Sequence, residues 1–286
     1  MTQRLLIRRF PVMKINMAIG IGGGLLLVLI VLSLAAPFLH GLDPAQIRPR
    51  LRLKPPNAEL WFGTDAIGRD VLSRVIFGGR TSLLVGATSA LAGGVCGTVI
   101  GLIAGASRVL DAIIMRIMDG VMAIPALLLA IAMVSLLRPS LFTIVAAIAF
   151  AEIPRVTRLV RGVVLTVREE AFVQAAQGLG LPRRIILFRH ILPSCMAPLV
   201  VQATYMFAAA ILFEAVLGFL GVGFPPDIPS WGNILAEGRA VFQRAPWTII
   251  FPGLFLAITV LAVNILGDGL RDRLDPRLSR MTKVSA

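Results

Sequence analysis

Residues able to carry nucleotide, metal or nucleophile chemistry are few in this chain. Its lysines are Lys14, Lys54 and Lys283, and none ends a Gly-x-x-x-x-Gly-Lys-Ser/Thr loop, the cradle that holds nucleotide phosphates. His40 and His190, the two histidines, are far apart and have no partners at ligand spacing, so neither a metal site nor a histidine relay is indicated. Cys96 and Cys195 both fall in apolar runs, where a structural disulfide is not expected and no redox compartment can be read. The expectation is a chain with no catalytic residues and no metal of its own.

Acids inside apolar stretches are the second place for chemistry. Glu152 ends the fourth such stretch, and Glu214 lies in the outer half of the fifth. A charge at the centre of a bilayer costs roughly 2.5–3.5 kcal/mol on insertion scales, so Glu214 is expected to face protein or water rather than lipid. Its readings are a pore or gate residue, or a structural hydrogen bond near the outer interface, and the second is preferred. Asp111, Arg116 and Asp119 open the third stretch, where the i,i+3 spacing of Arg116 and Asp119 suits a pair. No series of buried acids forms a proton relay.

The elements that position these residues follow from composition. Of 286 residues 57% are hydrophobic and 15% charged, with a net charge of +13; mean hydropathy is +0.87. A soluble fold has no interior large enough for so much apolar surface. Disorder, collagen and a disulfide scaffold are excluded by sparse charge, the lack of a glycine triplet and the two cysteines. The basic balance is read as a topology signal, not a nucleic-acid footprint.

Charge-free runs extend over 15–42, 81–107, 120–137, 139–151, 190–213 and 245–267. A span needs about 20 apolar residues, so the fourth run is short. If all six cross with the N-terminus inside, 18 basic residues lie inside and 10 outside. Omitting the fourth would move seven arginines, Arg155 to Arg189, to the outside. The expectation is an all-α membrane protein of six transmembrane helices with both termini cytoplasmic. Its parts are a basic lead-in at 1–14, a first helix at 15–42 that is an uncleaved anchor, an external loop at 43–80, a five-helix core at 81–270 and a tail at 271–286. Gly93, Gly97, Gly101 and Gly105 recur every four residues, marking a helix face for close packing.

The cytoplasmic segment Arg155 to His190 carries the strongest local signal. Glu169 and Glu170 favour a helix start, and Gly180 with Pro182 ends it, giving a helix of about three turns at about 170–182. Ala175 and Ala176 at its middle would let it sit deep in a protein groove; an interfacial helix on anionic lipid is the alternative. The pattern alone leaves both open.

Gln174-Ala175-Ala176, Gly180 and Leu192-Pro193 resemble the Glu-Ala-Ala-x3-Gly-x9-Ile-x-Leu-Pro motif of ABC importer permeases, with Gln174 for the acid and His190 for the isoleucine. Trp61 to Asp65, Gly68 to Arg74, Gly79 to Leu83, Glu214 to Gly221, Pro229 to Gly232, Pro246-Trp247, Asn264 to Asp272 and Asp275-Pro276 are similar to stretches of the dipeptide/oligopeptide/nickel permeases. The single external loop with Asp43-Pro44 looks like the C-type subunit of the pair. The resemblance runs from about residue 10 to 280.

That resemblance implies a type I importer permease in a bacterial cytoplasmic (inner) membrane. Its partners would be a homologous B-type permease, two ABC ATPase subunits and an external substrate-binding protein. ATP and Mg would be used by the partner ATPase, with no cofactor on this chain. Gln174 to Gly180 would be the coupling helix. Asp65, Arg69, Asp70 and Arg74 would contact the binding protein or, as preferred, hold the external loop as an ion-paired scaffold. Pro225 to Trp231 would re-enter with its tryptophan at the interface. The solute would be a short peptide, with nickel, glutathione, haem or oligosaccharide as alternatives. A secondary transporter or channel working without an ATPase, and a membrane scaffold without transport, are the other readings.

Overall fold

A computed structural model describes residues 12–38 and 43–274, with side chains from Met17 onward. Most of the basic lead-in, the end of the first apolar run, and Asp275-Pro276 with the rest of the tail lie outside the described residues. Among the described residues the backbone is helical, apart from connecting turns and an isolated antiparallel bridge between Thr64 and Asp70.

The first described helix is α1 (Val12–Ala35), and after a loop α2 (Val71–Ala106) follows. Next come α3 (Arg108–Met122), α4 (Ala126–Leu137) and α5 (Leu141–Val167). The short α6 (Ala171–Gly178) precedes a single turn, α7 (Arg183–Ile185), that runs through π-helical Ile186–Ile191 into α8 (Leu192–Phe219). The last two described helices are α9 (Trp231–Arg239) and α10 (Trp247–Leu274). By length and apolar composition four stretches are able to cross a membrane: Met17–Phe38, Val71–Ala106, Arg183–Phe219 and Trp247–Leu274. A bent α3–α4 pair would make a fifth.

The helices do not coincide with the apolar runs: α5 carries the short fourth run on through Glu152 to Val167, and the second and third runs differ for identifiable reasons. The second helix starts at Val71, not Thr81, because the Asp70 carboxylate accepts the Ser73 N–H at 2.7 Å and caps it. Its 36 residues extend ~54 Å at 1.5 Å per residue. The third run, expected to be one span from Gly120 to Leu137, is broken. α3 and α4 meet at 83°, because Pro125 lacks an N–H and holds Ile124 away from helical geometry. With 12 residues α4 is ~18 Å long, short of the ~30 Å hydrocarbon thickness.

α2 lies along α5, and the glycine stripe is why the two approach so closely. A Cβ on Gly97 would stand 2.5 Å from the Cβ of Val156, and one on Gly105 would stand 2.5 Å from a Val164 methyl. One on Gly101 would stand 2.8 Å from the Thr157 carbonyl oxygen. α5 presents Val156, Val160 and Val164 to that stripe, all buried and all stiff at χ1. α8 packs on both α2 and α10, while α1 packs along α10.

Candidate functional site

The segment expected to dock a partner is built around α6. It is eight residues, about two turns rather than three. Glu170 stands at its N-cap with no side-chain cap bond, while the Arg168 guanidinium engages Glu169 at 3.0 Å. The Gln174 side-chain amide donates to the Glu169 carbonyl oxygen at 3.1 Å. A carboxylate at that position accepts only and could not make this bond.

The other end of α6 closes in a Schellman turn. Leu181 N–H donates to the Ala176 carbonyl at 3.2 Å and Gly180 N–H to the Gln177 carbonyl at 2.9 Å. Gly180 has φ +74°, the left-handed geometry this turn requires at its C′ position. Leu181 packs against the same apolar cluster as Ala176, completing the motif with its usual hydrophobic contact.

α6 has two distinct faces. Val173 and Ala176 are buried in one apolar cluster with Val160 and Val164 of α5, Ile186 and Ile191 leading into α8, and Cys195 of α8. Gln174, Ala175 and Gly180 are exposed, together with Phe172 and Leu179. Leu192 joins the inner cluster half-buried, and Pro193 sits exposed in the first turn of α8. The result is a short helix bolted to the bundle by one face, with an apolar and small-residue face left free.

At the opposite end the structure brings Asp65, Arg69 and Arg74 together and adds Glu237 from α9. Arg69 Nε reaches Asp65 at 2.6 Å, Arg74 reaches Asp65 at 3.1 Å, and both guanidinium groups bond Glu237. The Asp65 carboxylate also accepts the backbone N–H groups of Ile67 and Arg69 at 3.0 and 2.9 Å. Asp70 is absent from the cluster because its carboxylate caps α2. Glu237 is the member that sequence spacing misses, since it lies far along the chain and in no charged run.

Glu214 is 1% exposed and accepts a hydrogen bond from Ser82 Oγ at 2.7 Å. Ser82 Oγ in turn accepts the Trp231 backbone N–H at 3.3 Å, joining α8, α2 and α9. The tryptophan expected at the membrane interface is instead fully buried, its indole N–H donating to the Val75 carbonyl at 2.9 Å. Asn233 causes this, gathering the carbonyls of Phe224, Pro225 and Ile228 with its side-chain amide and folding the Pro225 to Trp231 loop back onto α2. The expected Arg116–Asp119 pair is also replaced, because Asp119 bonds Arg158 of α5 at 2.5 Å. Asp111 bonds Arg161, one turn further along α5.

Residues 97–280 match the family model described as "Binding-protein-dependent transport system inner membrane component". The chain is 55% identical over 262 residues to a probable peptide ABC transporter permease, y4tQ, of Sinorhizobium fredii, covering 91% of this chain and 89% of the relative. It is 44% identical over 270 residues to the dipeptide transport system permease DppC of Alkalihalophilus pseudofirmus, covering 94% and 89%. Among solved structures, a chain of the MetNI methionine ABC transporter in inward-facing conformations superposes with a TM-score of 0.59 at 19% identity. That superposition covers 71% of this chain and 97% of the other, and it gives the type I importer permease fold.

Proposed function

Because the chain belongs to the family of binding-protein-dependent transport system inner membrane components, we propose that it is the permease subunit of an ATP-driven importer, engaged by its ATPase at α6. Short peptides are the solute class, as the names of relatives sharing about half of its residues suggest. The proposed topology has six crossings, α1, α2, the short α4 with the turns that flank it, α5, α8 and α10, with both termini in the cytoplasm of a bacterial cell. A B-type permease completes the pathway, two ATPase subunits use ATP and Mg, and an external binding protein delivers the solute.

The observation that carries this reading is the two-faced α6. Val173 and Ala176 tie it to the cluster shared by α5 and α8. A displacement of α6 by a partner therefore acts on two crossing helices at once. Its free face, with Ala175 and Gly178 between Phe172 and Leu179, suits insertion into a groove where small residues permit close approach. At the outer end, the Asp65–Arg69–Arg74–Glu237 cluster holds the loop as a cap, and Glu214 ties α8 to α2 instead of gating a pore.

A mild-detergent pull-down of the tagged chain from native membranes tests the assignment. The expected result is a second six-span permease and one or two subunits with a nucleotide-binding loop. Recovery of the chain alone, with uptake persisting after ATP depletion, would replace this reading with a secondary transporter.

A further inference from the structure

α3 has no task in that transport cycle, and its surface is divided three ways. One side packs on the bundle through buried Met118 and half-buried Ile114 and Met115. A second side is polar, with Arg108, Ala112, Arg116 and Asp119 exposed. The third carries Val109, Ile113 and Ile117, spaced four apart and 70%, 54% and 56% exposed. Such a division at a 3.6-residue period marks a helix lying at a boundary between solvents.

Its depth and direction are fixed by neighbours. The ion pairs Asp119–Arg158 and Asp111–Arg161 attach α3 to α5. Counted from Leu141, the first residue of α5, those arginines lie ~26 and ~30 Å along the helix, about one hydrocarbon thickness. α4 runs beside α5, and α3 turns away from it by 83°. α3 therefore runs crosswise to α4 near the level of Arg158 and Arg161, toward the end of α5 opposite Leu141. Arg108 and Arg116 flank the apolar row and have no ion-pair partner among the described residues. Their charge complements an anionic surface.

We infer that α3 lies in the plane of the inner leaflet, with Val109, Ile113 and Ile117 among acyl chains and Arg108 and Arg116 against anionic lipid headgroups. The ties to Arg158 and Arg161 hold it there, so the elbow at Pro125 is a float on the membrane surface as well as a break in a span. This inference rests on the proposed topology, which sets the inner side.

The test uses the assembled transporter in vesicles of phosphatidylcholine and phosphatidylglycerol, after replacing Cys96 and Cys195 with alanine and confirming uptake. A fluorophore is attached through Ile113→Cys, Ile117→Cys or Ala112→Cys, and quenching by brominated lipid is compared with quenching by aqueous iodide. The expected result is loss of most emission at Ile113 and Ile117 to brominated lipid and at Ala112 to iodide. Positions 113 and 117 shielded from both quenchers would mean a protein partner covers the row, and would overturn the inference, as would quenching there by iodide. Arg108→Glu with Arg116→Glu should weaken lipid quenching only in anionic vesicles; an equal effect in pure phosphatidylcholine would remove the headgroup contact. Gln177→Cys on α6 reports topology separately. Labelling by an impermeant maleimide only from the cytoplasmic side keeps the topology whatever α3 does, and labelling from outside would overturn both readings.

Discussion

Gly180 allows the geometry of α6 to be tested through backbone strain alone. Its φ is +74° and a Cβ placed on it would meet no atom within 4 Å. Gly180→Ala thus adds no clash, only the strain of an L-residue in left-handed geometry, roughly 1–2 kcal/mol. The strain falls on the state that holds the Schellman turn, so the ratio of closed to open α6 drops by a factor of about 5–30. Gly180→Asn should lose less, since asparagine visits this region more readily. The assay is the full transporter in proteoliposomes at matched protein levels, reading solute-stimulated ATP hydrolysis and uptake together. Activity should rank glycine above asparagine above alanine, with hydrolysis and uptake falling in parallel. An alanine variant equal to the parent, or an asparagine variant as damaged as alanine, would refute the idea that this turn is what the glycine supplies.

Other substitutions separate docking from folding. Ala175→Asp, on the free face of α6, should leave membrane levels unchanged and abolish uptake. Ala176→Asp places a carboxylate in the apolar cluster that includes Val160 and Val164 and should lower the amount of folded chain, which detergent-solubilised yield and melting measure. Gly97→Ala should destabilise by about 1–3 kcal/mol, because its Cβ meets the stiff Val156, and should lower Tm. Gly94→Ala, with open space around it, should leave Tm unchanged or slightly higher. Arg74→Leu leaves Arg69 alone to balance the Asp65 and Glu237 carboxylates; with that partner kept and Glu237 29% exposed, a cost at or below the lower end of the ~3–5 kcal/mol range is expected. Adding Glu237→Gln should recover part of the lost Tm.

The inner motif was legible because its signals are local. Gly180 and Pro182 mark the end of α6 within three residues of each other, and the four-residue glycine period announces a packed face whatever helix meets it. The start of α2 was hidden because absence of charge was the criterion for a span. Arg74 and Arg80 lie inside the helix, where Asp65 and Glu237 neutralise the first. The break at Pro125 did carry a sequence signal, a proline that holds Ile124 out of helical geometry, but apolarity on both sides masked it. Asp119 prefers Arg158 to its own-helix neighbour Arg116 because α5 passes beside it, a fact of tertiary packing that no spacing contains. The same holds for Trp231, whose burial depends on Asn233 collecting three carbonyls from the loop before it.

The seam between α2 and α5 has a mechanical consequence. Where bare glycine backbone meets stiff β-branched side chains there is little compliant side-chain layer, so sliding of one helix past the other is opposed and turning together is favoured. One arm ends at the apolar cluster that α6 shares with Val160 and Val164, and the other ends at Arg74 in the ion-paired cap. With α2 ~54 Å long, a tilt of about 10° about its midpoint carries either end ~5 Å. In the proposed topology, a small push at α6 would thereby reach the surface facing the opposite compartment.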